Sequence, residues 1–226
     1  MVIFLDIEHP KAYDDPGYKE DRTKTMAMRQ ALFTELAGEP CVIVHYSEFQ
    51  PEQLESPNVS ALVTSGNHSL WEDYDIPSDF RQFHAVIETT QKPVLGICGG
   101  HQLIGLLLGG DARPLRRLNA GETDVHPEYA PGFLKEWGHY PLEFDAADPL
   151  FRELPAPMVV TQHHFWEVSR MPRDFRSIAS NGNCAVQAMR HNHRPIYGVQ
   201  FHPEFHDSAH PDGRNLLLNF FSLRQS

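Results

Sequence analysis

The chain has 226 residues, 41% of them hydrophobic and 22% charged, with a formal net charge of −11 at pH 7. No apolar run approaches the ~20 residues that a membrane-spanning helix needs, and no basic cluster larger than Arg116-Arg117 offers a surface for nucleic-acid phosphates, so neither a membrane nor nucleic acid is expected as a partner. Cys41, Cys98 and Cys184 are odd in number and widely spaced, which argues against a disulfide framework and a paired-cysteine metal site and fits a reducing compartment.

In chain order, Met1-Val-Ile-Phe-Leu-Asp6 lacks a basic leader and meets an acid early, so residues 2–7 read as a first strand and not a signal peptide. A cytoplasmic protein is expected. Residues 8–24 are acidic and read as a solvated loop, with a partner surface or a leaving-group pocket as the other uses open to them. Residues 25–36 carry Met26, Met28, Leu32, Phe33 and Leu36 near helical spacing and stop at Gly38, which predicts a helix. Runs rich in β-branched and aromatic residues predict strands at 41–46, 61–64 and 94–97, with a second helix over 80–90. This alternation implies a parallel sheet covered by helices on both faces, with ligands at the carboxyl ends of its strands. Residues 111–157 are richer in proline, glycine and charge and read as loops with shorter antiparallel strands, such as 139–144. Strand-like patterns resume at 159–168, 177–189 and 197–201, and residues 212–223 form a closing helix. No repeat or linker divides the chain, which reads as a single domain over 1–226.

The segment Pro93-Val-Leu-Gly-Ile-Cys98-Gly-Gly-His-Gln102 is an apolar run that ends in a glycine-flanked cysteine and passes straight into a helix-like stretch. That is the layout of a nucleophile elbow, where a tight strand-to-helix turn pushes one side chain outward and Gly96 and Gly100 give room for close packing. Such a cysteine also sits at a helix N-terminus, where the dipole and free N–H groups favour thiolate. A nucleophile of this kind needs a base, and the base an orienting acceptor. Tyr197-Gly-Val-Gln-Phe-His202-Pro-Glu204 supplies both: a strand that Pro203 cannot extend delivers imidazole and carboxylate together. Metal binding is not expected although there are fourteen histidines, because the His163-His164, His191-x-His193 and His202-x-x-x-His206 pairs lack a zinc-like frame and Pro203 interrupts the last. No phosphate-binding Gly-x-x-x-x-Gly-Lys-Ser/Thr occurs, and no cofactor is expected.

Together, Gly-Ile-Cys-Gly-Gly-His-Gln and Gly-Val-Gln-Phe-His-Pro-Glu resemble the class I glutamine amidotransferases, whose triad is Cys, His and Glu in that chain order. The resemblance runs from the first strand to the terminal Gly213-Arg-Asn-Leu-Leu-Leu-Asn-Phe-Phe221. It implies a flavodoxin-like α/β fold with an open, mostly parallel sheet. It implies a glutaminase in which Cys98 attacks the glutamine side-chain amide through a γ-glutamyl thioester, His202 and Glu204 serve it, and ammonia passes to a separate synthetase subunit. In the family a Ser-Gly-Gly-Pro loop supplies an oxyanion N–H; here Thr64-Ser-Gly-Asn-His68 takes that place, so Gly66 or Asn67 would be one donor and Gly99 the other. Asn67-His68 replaces the usual Gly-Pro, and Gly99 replaces a commonly larger residue. Gln102 matches the family's substrate-contacting glutamine, and His163, His164 and Phe165 match the segment whose backbone holds the substrate's α-amino and α-carboxylate groups. Two alternatives remain open: a γ-glutamyl peptide or conjugate hydrolase with the same triad, and a non-enzymatic thiol-based binding or redox-sensing protein.

Overall fold

The computed structural model describes residues 1–223. Strands β1 (Val2–Asp6), β2 (Cys41–His45), β3 (Ala61–Thr64), β4 (Val94–Ile97), β5 (Asp111–Pro114), β6 (Glu136–Phe144), β7 (Met158–His164), β8 (Trp166–Arg170), β9 (Phe175–Ser180), β10 (Ala188–His191) and β11 (Ile196–Val199) alternate with helices α1 (Pro16–Ala37), α2 (Pro51–Glu55), α3 (Ile76–Asp79), α4 (Arg81–Ile87), α5 (Gly99–Leu107) and α6 (Asp212–Ser222). A nine-stranded sheet runs β2-β1-β3-β4-β11-β10-β9-β6-β7, and β5 pairs with β8 in a small ribbon. The pairings from β2 to β11 are parallel, and those from β11 to β7 are antiparallel. The expected mostly parallel α/β sheet is therefore present, continued by the antiparallel strands anticipated in the middle of the chain.

The parallel strands are buried from end to end in β1, β3, β4 and β11, as their unbroken apolar runs require of strands covered on both faces. On one side Phe33 of α1 packs with Phe220 and Phe221 of α6; on the other Phe83 and Ile87 of α4 pack with Leu103, Ile104 and Leu107 of α5. No helix among the described residues is long and apolar enough to cross a membrane.

Several expected boundaries move, each for a local reason. Helix α1 starts at Pro16, because Asp15 caps it by accepting from the Gly17 and Tyr18 N–H groups at 2.8 and 3.2 Å and Pro16 is preorganised for a first turn. Residues 8–24 are thus not a solvated loop throughout: Glu8 and Arg22 are buried. The inward stripe of α1 is Arg22, Met26, Arg29, Phe33 and Leu36, whereas Met28 is 74% exposed. Gly38 ends the helix at φ 65°, as anticipated. The second helix is shorter than 80–90, closing at Ile87. The expected strand 159–168 breaks at Phe165, so that β7 joins the main sheet and β8 the ribbon, and 177–189 divides into β9 and β10 around a turn.

Candidate active site

Four adjacent parallel strands each deliver one part of the site at their carboxyl ends. Asp6 and Glu8 follow from β1, the loop 65–69 from β3, Cys98 from β4, and His202 with Glu204 from β11. The register aligns these ends, since Thr64 pairs with Gly96 and Ile97 with Val199.

Cys98 is a nucleophile elbow in its backbone. Its φ of 51° and ψ of −105° lie where a non-glycine residue costs about 1–3 kcal/mol. The turn is held by the Cys98 N–H donating to the Val199 carbonyl at 2.8 Å and the Gln102 N–H donating to the Cys98 carbonyl at 3.1 Å. Neighbouring glycines make it possible: a Cβ on Gly96 would press on the Gly100 carbonyl, and one on Gly100 would collide with the Thr64 side chain. Cys41 and Cys184 lie elsewhere, and burial pushes both thiols up to about 12.

The His202 ring adjoins the Cys98 side chain, and its Nδ1 lies 2.8 Å from Glu204 Oε1. Burial works to lower the pKa of His202, but the charges of Glu204 and Cys98 outweigh it and push it up to about 9. Burial likewise favours neutral Glu204, yet His202 and then Arg29 hold its pKa down to about 2. Arg29 of α1 places Nη2 3.3 Å from the same Oε1, while Glu204 Oε2 is buried without a partner. On the other side of the sulfur, Gln200 Nε2 donates toward Cys98 Sγ at 3.6 Å. Gln200 in turn accepts from Gln102 Nε2 at 3.1 Å, and Gln102 Oε1 accepts from Trp71 Nε1 at 2.8 Å. This buried relay ties the expected substrate-contacting Gln102 to the nucleophile.

The loop after β3 is held by charges that sequence reasoning did not assign. Arg22 donates to the Gly66 carbonyl and to Ser65 Oγ, both at 2.9 Å, and pairs with Asp6. Because a trans peptide sets its C=O and N–H on opposite edges, fixing the Gly66 carbonyl on Arg22 turns the Asn67 N–H away from Arg22, toward the Cys98–Gly99 turn. Neither the Asn67 N–H nor the Gly99 N–H donates a hydrogen bond within the described chain. The Gly66 N–H likewise donates none within the described chain. Fully buried Glu8 accepts from the His68 N–H at 2.7 Å, the Ser69 N–H at 3.1 Å, Ser69 Oγ at 2.7 Å and the Tyr18 hydroxyl. Burial alone would raise its pKa, but Tyr18, Arg22, Ser69 and His68 together lower it. A Ser-Gly-Gly-Pro loop has no N–H at its proline position, so the carboxylate at Glu8 and the N–H of His68 match each other. Asn67 and Gly99 match in size as well: a Cβ on Gly99 would strike the Asn67 carboxamide, whose Nδ2 donates to the Ser69 carbonyl at 2.8 Å.

A cavity beside Cys98 is lined by Asn67, Trp71, Gln102, His163, Phe165 and others, including His164. His163 lies with its ring 5.8 Å from that of His202, and burial and then His202 lower its pKa to about 4. The side chain of His164 is committed elsewhere, with Nδ1 2.8 Å from the Trp166 carbonyl and Nε2 2.9 Å from Glu136. Across Tyr129 a second cavity of about 440 Å³ also reaches Cys98, between Arg22, Arg29, His126 and His202. Among the described residues the histidine pairs weighed for metal bring no three ligand atoms together for one ion. His139, Asp207 and His210 do meet on the surface, but Asp207 Oδ1 already accepts from the Ala209 and His210 N–H groups at 2.8 Å.

The family model for class I glutamine amidotransferases matches residues 23–223. The chain belongs to this family. It is 36% identical over 172 residues to the glutamine-hydrolysing GMP synthase subunit of Pyrococcus furiosus, covering 76% of this chain and 79% of that protein. With the corresponding subunit of Pyrococcus abyssi it shares 32% identity over 172 residues, at the same 76% and 79% coverage. Against the longer glutamine-hydrolysing GMP synthase of Symbiobacterium thermophilum it is 34% identical over 170 residues, 75% of this chain but 29% of that protein. Among solved structures, a Thermoplasma acidophilum protein described as a GMP synthase subunit superposes with a TM-score of 0.72 at 23% identity, covering 100% of this chain and 94% of that one. A glutamine amidotransferase from Thermotoga maritima gives 0.58 at 22% identity over 90% and 76%. This amidotransferase is accordingly an enzyme of the glutamine-hydrolysing class, with the fold the sequence led us to expect.

The residues missed from sequence are Glu8, Arg22, Arg29, Trp71 and Gln200. Gln200 stood inside a motif already in view, and Asp6-x-Glu8 at the carboxyl end of a first strand was a readable signal. Arg22 and Arg29 left one only in hindsight: they are seven residues apart, two turns of helix, in line with Met26 and Phe33.

Proposed function

We propose that this protein hydrolyses the side-chain amide of L-glutamine with Cys98 as nucleophile and passes the ammonia to a separate synthetase subunit. Cys98 Sγ attacks the amide carbon, and the oxyanion rests on the Asn67 and Gly99 N–H groups. His202 gives its proton to the departing nitrogen, which leaves as ammonia, and a γ-glutamyl thioester remains on Cys98. Water, giving a proton to His202, then releases glutamate and frees the thiol. The observation that carries this reading is the strained Cys98 backbone facing two unengaged amides, with the His202–Glu204 pair on the sulfur.

We read the whole chain as one glutaminase domain. The relatives named as GMP synthase subunits make a GMP-forming synthetase the first partner to test by co-purification. Glutamine hydrolysis, assayed with and without that partner, is expected from the native protein and not from Cys98→Ala; equal hydrolysis by the two proteins overturns the reading. A γ-glutamyl conjugate hydrolase is favoured by one observation, the cavity of about 440 Å³ on the His202 side of Cys98, which has room for a larger leaving group. A panel of γ-glutamyl amines decides between them, since a higher kcat/KM for the bulkier amines assigns the enzyme to conjugates.

A further inference from the structure

Helix α1 sends two buried guanidinium groups into the two halves of the site. Arg22 holds the oxyanion loop, and Arg29 reaches the carboxylate behind His202. The Arg29 contact has three unusual features. Its partner is Glu204 Oε1, the same oxygen that receives His202 Nδ1. Its guanidinium lies over the Phe205 ring at 4.7 Å, and that ring stacks on His202 at 5.1 Å, so one apolar side chain seats both cations and keeps water from them. Finally, neither the 1% exposed carboxylate of Glu204 nor the guanidinium has a further described ion-pair partner.

A buried carboxylate needs either a full set of hydrogen-bond donors or a lasting counter-charge, and Glu204, whose Oε2 has no donor, depends on the charge. His202 cannot be one, because the reaction requires it to give its proton to ammonia and later take another from water. At those moments the only fixed positive charge on Glu204 among the described residues is Arg29. We propose that Arg29 is a positioning residue of the triad, which keeps Glu204 ionised while His202 is neutral, so that the shuttled proton goes to the leaving group and not to Glu204. This rests on the reading of Cys98, His202 and Glu204 as the reacting triad. The other groups facing the pair are Cys98 from the turn after β4, His163 from β7, His206 on the same loop, and Arg22 with Asp6 behind Arg29. None of these is a second cation in contact with Glu204.

Removing the Arg29 charge makes both Glu204 and His202 hold protons more tightly and withdraws a cation from the Cys98 sulfur. The pH dependence of Cys98 alkylation by iodoacetate, an anion drawn to the imidazolium beside the sulfur, reads this without any turnover. In Arg29→Met both limbs of that profile are expected to move to higher pH by about one unit, and kcat for glutamine to fall about 10²-fold with KM changed far less. Arg29→Lys, which keeps the charge but loses the planar fork, should leave the limbs in place and recover part of kcat. If Arg29→Met does not fold by circular dichroism, Arg29→Gln gives the same reading. Folded variants whose limbs coincide with the native profile overturn the proposal, even if they are slow. A native profile with the predicted limbs but no glutamine hydrolysis contradicts the substrate reading and leaves the role of Arg29 standing.

Discussion

Two buried histidine–glutamate pairs lie within this one molecule, and they are built for opposite ends. His164 and Glu136 meet at 2.9 Å, and His202 and Glu204 at 2.8 Å. Around the first, every valence is spent: His164 Nδ1 is on the Trp166 carbonyl, and Glu136 also accepts from Asn181, Asn183 and Gln187 at 2.6, 3.1 and 2.5 Å. Around the second, the far side of the imidazole faces a cysteine sulfur, and Glu204 Oε2 is left without a donor. A histidine–carboxylate pair is therefore made structural or reactive by what surrounds it. A saturated network rigidifies a core; an unsaturated one, backed by a fixed charge, can move a proton.

The sharpest break of the comparison is to remove a member of each pair. His202→Ala, like Cys98→Ala, should lower glutamine hydrolysis by about 10⁴-fold or more in kcat, while His164→Ala should lower the yield of folded protein before it lowers kcat. Exchanging the acids separates the two roles further. Glu204→Gln is expected to cost about 10²–10⁴-fold in kcat of the folded protein and also to lower the denaturant midpoint, because Arg29 loses its buried counter-charge, whereas Glu136→Gln is expected to cost about 2–4 kcal/mol of unfolding free energy with kcat of the folded fraction nearly intact. A Glu136→Gln protein as stable as the native one would show that saturation there is ornamental.

A smaller effect tests the oxyanion side. Gly99→Ala drives a methyl group into the Asn67 carboxamide and should reduce kcat about 10²-fold. Adding Asn67→Gly should return most of that loss, whereas additive losses in the double variant would deny that the two positions are matched.

The smallest effect is on stability against pH. His202, raised to about 9 from 6.5, contributes stability that is complete below pH 6.5 and is lost as pH rises toward 9. Glu204, lowered to about 2 from 4.5, contributes stability that is present above pH 4.5 and is lost as pH falls toward 2. Urea unfolding across these windows should show both slopes, and Glu204→Gln should abolish the acid one and flatten the alkaline one.

The readable half of this site was the half written in local motifs. Cys98 between glycines, and His202-Pro-Glu204 after a strand, carry their geometry in their own few residues. The parallel sheet that holds both followed from the alternation of apolar runs. What stayed hidden was the charged scaffold. Arg22 and Arg29 occupy core positions of an amphipathic stripe, where the rule that charges face water points the wrong way, because their partners Asp6 and Glu204 lie on other elements, the one on β1 and the other near the end of the chain. Glu8 left a signal in Asp6-x-Glu8, but its partners appear only once the loop 65–69 folds over it. The Phe165 break was masked because β7 and β8 are both apolar enough to read as one strand.

On the proposed mechanism Cys98, alone of the three cysteines, takes the γ-glutamyl group. Treating the native protein with a glutamine-analogue electrophile and mapping the adduct by mass spectrometry tests this most directly. The expected result is one adduct per chain, on Cys98, suppressed by L-glutamine and slowed in Glu204→Gln; modification of Cys41 or Cys184 instead, or labelling of Cys98 that glutamine does not protect against, would contradict it.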